Sequence, residues 1–158
     1  MRERAPAPYD LLEHTADLAF RVEAPDLARL FARAALALHD VIADTAAARP
    51  LAERRIEVYG SNLEDVFVRF LEEAHFLFEA ERLLLAEVEV SKVDITRPPP
   101  AGSARRERAS RAWATARGER FDPARHELRR PVKAVTYHDL AIEQLPTGGF
   151  AARVVVDL

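Results

Sequence analysis

The chain has 158 residues, with 23 lysines and arginines against 26 aspartates and glutamates, a net charge of −3, and 49% hydrophobic positions. A chain of this length buries roughly two-thirds of its unfolded surface and can hold a core without staples; with no cysteine, disulfides, iron–sulfur sites, zinc ribbons and thiol nucleophiles are excluded. The first residues lack a signal-peptide core and no apolar run approaches the about 20 residues of a spanning helix, so a cytoplasmic protein without a membrane partner is expected.

After an entry containing Pro6 and Pro8, Leu18 to Glu23 alternates, with Leu18, Phe20 and Val22 on one side of a predicted strand. Pro25 opens a helix. Leu27, Leu30, Phe31, Ala34, Leu38 and Ile42 share one apolar stripe, Asp26 suits the positive helix N-terminus, and the helix ends near Asp44. Residues 53 to 59 form a strand with Ile56 and Val58 on one face, closed by Gly60. Ser61 and Glu64 have capping-box spacing and start a second helix, whose periodicity assigns Phe67, Phe70, Phe76 and Phe78 to the core. From Leu83 to Thr96 the strand phase slips, which predicts a bulge near Ser91 and Lys92.

Prolines 98 to 100 mark a loop over Arg97 to Ser103, and residues 108 to 118 resume as a strand containing Trp113. Phe121 to Arg125 is a turn, and two strands close the chain, Lys133 to Leu145 and Phe150 to Leu158, joined by Pro146 to Gly149. Two helices among about seven strands predict an α+β fold. The expected architecture is a single two-layer domain over residues 1–158, a mainly antiparallel sheet with both amphipathic helices on one face. Between Arg97 and Arg130, ten arginines face four carboxylates, a local balance of +6 that leaves −9 for the rest. Such asymmetry suits either a solvated hairpin or a phosphate-bearing partner.

The run His14-Thr15-Ala16-Asp17 enters an apolar strand, where the polar groups either satisfy backbone donors and acceptors or make Asp17 a metal ligand. Asp157 precedes Leu158, which brings the free α-carboxylate. If the last strand lies beside the first, Asp17, Asp157 and the terminus gather three anionic groups, and hard oxygen donors favour Ca²⁺, Mg²⁺ or Mn²⁺. In the run Lys133 to His138, His138 is either a sheet histidine or a general acid/base. No G-x-S-x-G, P-loop, H-E-x-x-H or G-x-G-x-x-G is present. The enzymatic alternative is a metal-dependent hydrolase or nuclease using Asp17, Asp157, His14 and His138. His39 and His75, each on a helix, belong to the core.

Three segments, YDLLEHTADLAF, GERFDPARHELRRPVKAVTYHDLAIEQL and the terminal VVVDL, together with SNLEDVFVRFLEEAHFLFEAERLLL, resemble the archease family from about Tyr9 to Leu158. The resemblance implies a protein cofactor without catalytic residues of its own. Its expected partner is the GTP-dependent RNA ligase that joins 3′-phosphate or 2′,3′-cyclic-phosphate ends to 5′-hydroxyl ends in tRNA splicing or RNA repair, with RNA contacted through the ligase. It also implies a metal site, calcium in the first instance, made by Asp17, Asp157 and Leu158. The chain departs from the family pattern at Leu18-Ala19 and Ala24-Pro25, where a glycine is usual, and in the arginine-rich insertion Pro98 to Arg108.

Overall fold

The apolar stripes and strand alternations are arranged in a computed structural model that describes residues 1–12, 17–96 and 109–158. His14 and the loop expected over Arg97 to Ser103 lie outside the described residues. The elements run β1 (Arg2–Arg4), β2 (Asp10–Leu12), β3 (Leu18–Ala24), α1 (Leu27–Ile42), β4 (Ala52–Gly60), α2 (Leu63–Glu81), β5 (Leu83–Asp94), β6 (Ser110–Arg120), β7 (Ala134–Val135), β8 (Ala141–Gln144) and β9 (Phe150–Asp157). The α+β class with antiparallel pairing is as the sequence predicts, and the strands are shared between two sheets. One has the order β1-β5-β6-β4, and the other runs β2-β3-β9-β7 with β8 also paired to β9.

Helix α1 explains the arrangement. Every residue from Leu30 to Ile42 except Arg33 is buried, because alanines at 32, 34, 35 and 37 let neighbours approach from several sides. It touches β5 of the first sheet, β3 and β9 of the second, and α2. Asp26 caps it, accepting from Arg29 N at 2.8 Å. The second helix is capped by Asn62 rather than Ser61: Asn62 Oδ1 accepts from Asp65 N at 2.9 Å, and Asp65 Oδ2 accepts from Ser61 N at 2.9 Å. The cap is therefore one residue later than expected, and the Asp65 carboxylate reaches back to the amide before the cap rather than to that of Asn62 itself. Phe76 is also not in the core. It is 56% exposed, since it falls off the stripe that buries Phe67, Phe70 and Phe78 and shares its side of α2 with Glu72, Glu73 and Glu79.

Strand β5 skips register against β6 at two places, between Leu85 and Glu87 and between Val90 and Lys92. The second is the bulge expected at Ser91. The first lies opposite Gly118, where an added Cβ would stand 2.1 Å from Leu84 O. The single strand expected over Lys133 to Leu145 is broken into β7 and β8 by a turn in which Leu140 N donates to Tyr137 O and Asp139 has φ of 49°. Aspartate tolerates that left-handed conformation better than most residues. The Pro146 to Gly149 turn is closed by Gly148 N to Leu145 O at 2.9 Å, with Gly148 at φ 94°. Two short strands, β1 and β2, lie in the proline-containing entry where none was expected.

Candidate metal centre and its supports

The β3–β9 ladder carries the candidate site. Leu18 pairs with Val156 and Phe20 with Val154, so continuing the register by one residue sets Asp17 across from Asp157, at the end of the sheet. On the other edge of β9, Ala134 pairs with Asp157 and Lys133 N donates to Asp157 O at 2.8 Å. The Asp157 backbone is thus held from the β7 side while its side chain is exposed. Asp17 is half-buried and Leu158 is 39% exposed. Among the described residues, no three His, Cys, Asp or Glu side chains gather as a metal-binding group. The candidate set has two such side chains, Asp17 and Asp157, and the third expected ligand, Leu158, directly follows Asp157. Its donors are all hard oxygens, the chemistry that suits calcium or magnesium.

Two buried polar clusters brace the segments around that point. In the first, Asp40 of α1 accepts from Tyr9 Oη at 2.7 Å, from Thr45 Oγ1 at 2.8 Å and from Arg129 Nη1 at 2.9 Å. Burial pushes the Asp40 carboxyl up, yet the hydrogen bonds from Tyr9 and Thr45 and the Arg129 charge outweigh it and hold the group below the usual range. Tyr9 leads directly into β2, and the amides of Arg129 and Arg130 both donate to Ile42 O, at 2.8 and 3.1 Å. The entry to the His14–Asp17 run and the approach to Lys133 are therefore fastened to the same helix end.

In the second cluster, Glu119 accepts from Arg49 Nε at 2.7 Å, from Arg125 and from His126 Nε2 at 2.6 Å. His126 Nδ1 accepts from Asp122 N at 2.9 Å, which fixes the neutral tautomer with its proton on Nε2. Burial again raises the carboxyl, and the bonds from Arg49, His126 and Arg125 bring it below the usual range. Gly118, Glu119, Asp122 and His126 of the GE-x-x-D-x-x-x-H pattern thus build a turn. His75 Nε2 meets Val132 O at 2.8 Å, and Tyr137 Oη donates to Asp65 Oδ1 at 2.7 Å, so both ends of the Val132 to Tyr137 segment are tied to α2.

His138 departs from the sequence expectation of a sheet histidine: it is exposed in the turn after β7, beside Asp139 at 3.2 Å. His39 and His75 are core residues as expected. Sequence reasoning missed the Tyr9–Asp40–Arg129 cluster. Its one legible sign was an aspartate following a histidine within the apolar stripe of α1, a position that a buried charge occupies only with partners.

Comparison with known proteins agrees with the fold. Residues 9–158 match the family described as Archease protein family (MTH1598/TM1083). "Protein archease" of Methanopyrus kandleri is 38% identical over 151 residues, covering 96% of this chain and 99% of that one. The protein of the same name from Pyrococcus abyssi is 37% identical over 146 residues, covering 92% and 95%. The solution structure of Methanobacterium thermoautotrophicum protein 1598 superimposes with a TM-score of 0.76 at 30% identity, over 95% of this chain and 98% of that chain. With the match running from Tyr9 through both braces to the paired end of β3 and β9, the chain belongs to the archease family.

Proposed function

We propose that this chain is a non-catalytic, metal-binding activator of a GTP-dependent RNA ligase that joins 3′-phosphate or 2′,3′-cyclic-phosphate ends to 5′-hydroxyl ends, acting in the cytoplasm in tRNA splicing or RNA repair. Family membership supports the partner. The observation that supports the site is the β3–β9 register, which ends at Leu18 and Val156, one residue short of Asp17 and Asp157. A divalent ion, Ca²⁺ or in its place Mg²⁺ or Mn²⁺, held by Asp17, Asp157 and the terminal carboxylate of Leu158 relieves the repulsion of three anionic groups and fixes the sheet end as a docking surface. Lys133, whose amide donates to Asp157 O, brings opposite charge beside that end. Guanylylation and strand joining belong to the ligase.

The test is multiple-turnover ligation of 2′,3′-cyclic-phosphate and 5′-hydroxyl RNA by the cognate ligase with GTP. The wild-type chain is expected to stimulate it, and Asp17→Ala and Asp157→Ala are each expected to abolish the stimulation with circular dichroism unchanged. Undiminished stimulation by both variants rejects the metal site. Metal-dependent phosphoester turnover by the chain alone rejects the non-catalytic assignment.

A further inference from the structure

The outer face of the four-stranded sheet points away from both helices. Along β6, Ala112, Ala114 and Ala116 are buried against them, while Trp113, Thr115 and Arg117 alternate outward and keep part of their surface. Trp113 is the one tryptophan of the chain and stands between Lys92 on β5 and Glu57 on β4. Two cations lie over its ring, Arg111 Cζ 5.0 Å and Lys92 Nζ 5.4 Å from the centroid. Beside the ring opens a notch of about 190 Å³ lined by Arg55, Glu57, Ser91, Thr115 and Trp113. The bulge borders it: Ser91, the residue that β5 inserts, donates from Oγ to Trp113 O at 3.1 Å.

Two features distinguish this place from an ordinary lattice of surface ion pairs. Trp113 Nε1 is buried without a hydrogen-bond partner among the described residues, and Arg111 Nε, which also lacks one there, faces Asp94 Oδ2 at 3.5 Å. Two of the nearby carboxylates are engaged, Glu53 by Arg117 at 3.0 Å and Asp94 by Arg111 at 3.5 Å, whereas Glu57 in the notch, Lys92 and Arg55 make no ion pair among the described residues. An aromatic face flanked by two cations, of which Lys92 makes no ion pair among the described residues, and a notch offering a carboxylate, two hydroxyls and a guanidinium fit a planar heterocycle joined to phosphates. An acidic peptide would use the cations and leave the ring and the notch unused.

We propose that this face binds single-stranded nucleic acid, with one unstacked base in the notch against Trp113 and the adjoining phosphates on Lys92 and Arg111. Lys92 has the flexible stem needed to swing from the ring to a phosphate as the base stacks. The subsite lies on the sheet that does not carry Asp17 and Asp157, so it is independent of the proposed metal centre.

Because Trp113 is the sole tryptophan, its fluorescence reports directly on the notch. The full chain is titrated with a mixed-sequence single-stranded RNA oligonucleotide, the same sequence as DNA, its duplex, and heparin, at about 20 mM salt and again at about 200 mM. Saturable quenching by single strands that weakens with salt, and an affinity about tenfold lower in Lys92→Ala and in Arg111→Ala but unchanged in Arg21→Ala on the other sheet, is the expected result. RNA binding tighter than DNA assigns the strand to the RNA that the ligase joins; equal binding leaves the subsite a general single-strand one. No quenching at low salt overturns the proposal, and so does equal quenching by duplex or heparin, which shows charge attraction alone. Ligase stimulation read in parallel separates the outcomes, because its loss with quenching intact rejects the activator role and leaves the nucleic-acid face standing.

Discussion

Gly118 and Glu119 sit next to each other and fail in opposite ways when changed. An alanine at 118 would set its Cβ 2.1 Å from Leu84 O, a backbone atom that moves only with the β5 bulge, so Gly118→Ala is expected to destabilise the fold by about 3 kcal/mol. Glu119→Gln keeps the shape and removes the charge that balances Arg49 and Arg125, with a loss of about 3 kcal/mol expected as well. Urea unfolding midpoints check both. The two should differ in salt dependence, since only the second concerns charge. The Gly-Glu pair was legible in the sequence as part of a spaced pattern, but its purpose was not: neither a bulge on a partner strand nor an arginine 70 positions away leaves a local trace. Asn62 illustrates a smaller limit. Ser61 and Asn62 are both good caps, and only the backbone turn after Gly60 decides between them.

His39 joins three elements, donating from Nε2 to Ala74 O of α2 at 2.7 Å and accepting at Nδ1 from Leu85 N of β5 at 3.1 Å. Both ring nitrogens are committed to the neutral form, and burial pushes the pKa down to about 4. The unfolded chain takes up a proton as pH falls below about 6.5, while the folded chain resists until about 4. Stability from this group is therefore complete above the unfolded value and is lost as pH falls between the two, by up to about 3 kcal/mol. The depressed carboxylates Asp40 and Glu119 lose their contributions only below the usual carboxylate range, so the upper window belongs to His39. His39→Gln should flatten the change in urea midpoint between about pH 7 and about pH 5. Strands such as β4 and β6 were readable because one face is buried and the other wet, and α1, buried almost all round, was readable from large apolar residues at helical spacing. The break at Tyr137 to Leu140 was not, since residues on both sides keep strand-like composition and the turn rests on Asp139.

The molecule's two sheets share α1, and their division was illegible because alternation reports which side of a strand is buried and says nothing of which sheet it joins. Carboxylates at 17 and 157 were readable as candidates, and the ladder between them is what sequence spacing lacks. If the ion binds there, calcium at a hundredfold excess over its dissociation constant should raise stability by about 2.7 kcal/mol. Chelation should reverse the gain, and Asp157→Ala should show none; thermal unfolding with and without calcium decides it. The β3–β9 pairing also has a kinetic consequence. It joins residues 18–24 to residues 150–156, among the most distant contacts that the chain can make, and contacts of such sequence separation form late in folding. A chain with both helices in place and β9 still unpaired would lack the central strand of the second sheet and, with it, the Asp157 side of the proposed metal site. If the proposed site takes an ion, its acquisition during refolding would mark the last step of assembly, and a chain caught before that step would lack the finished sheet end.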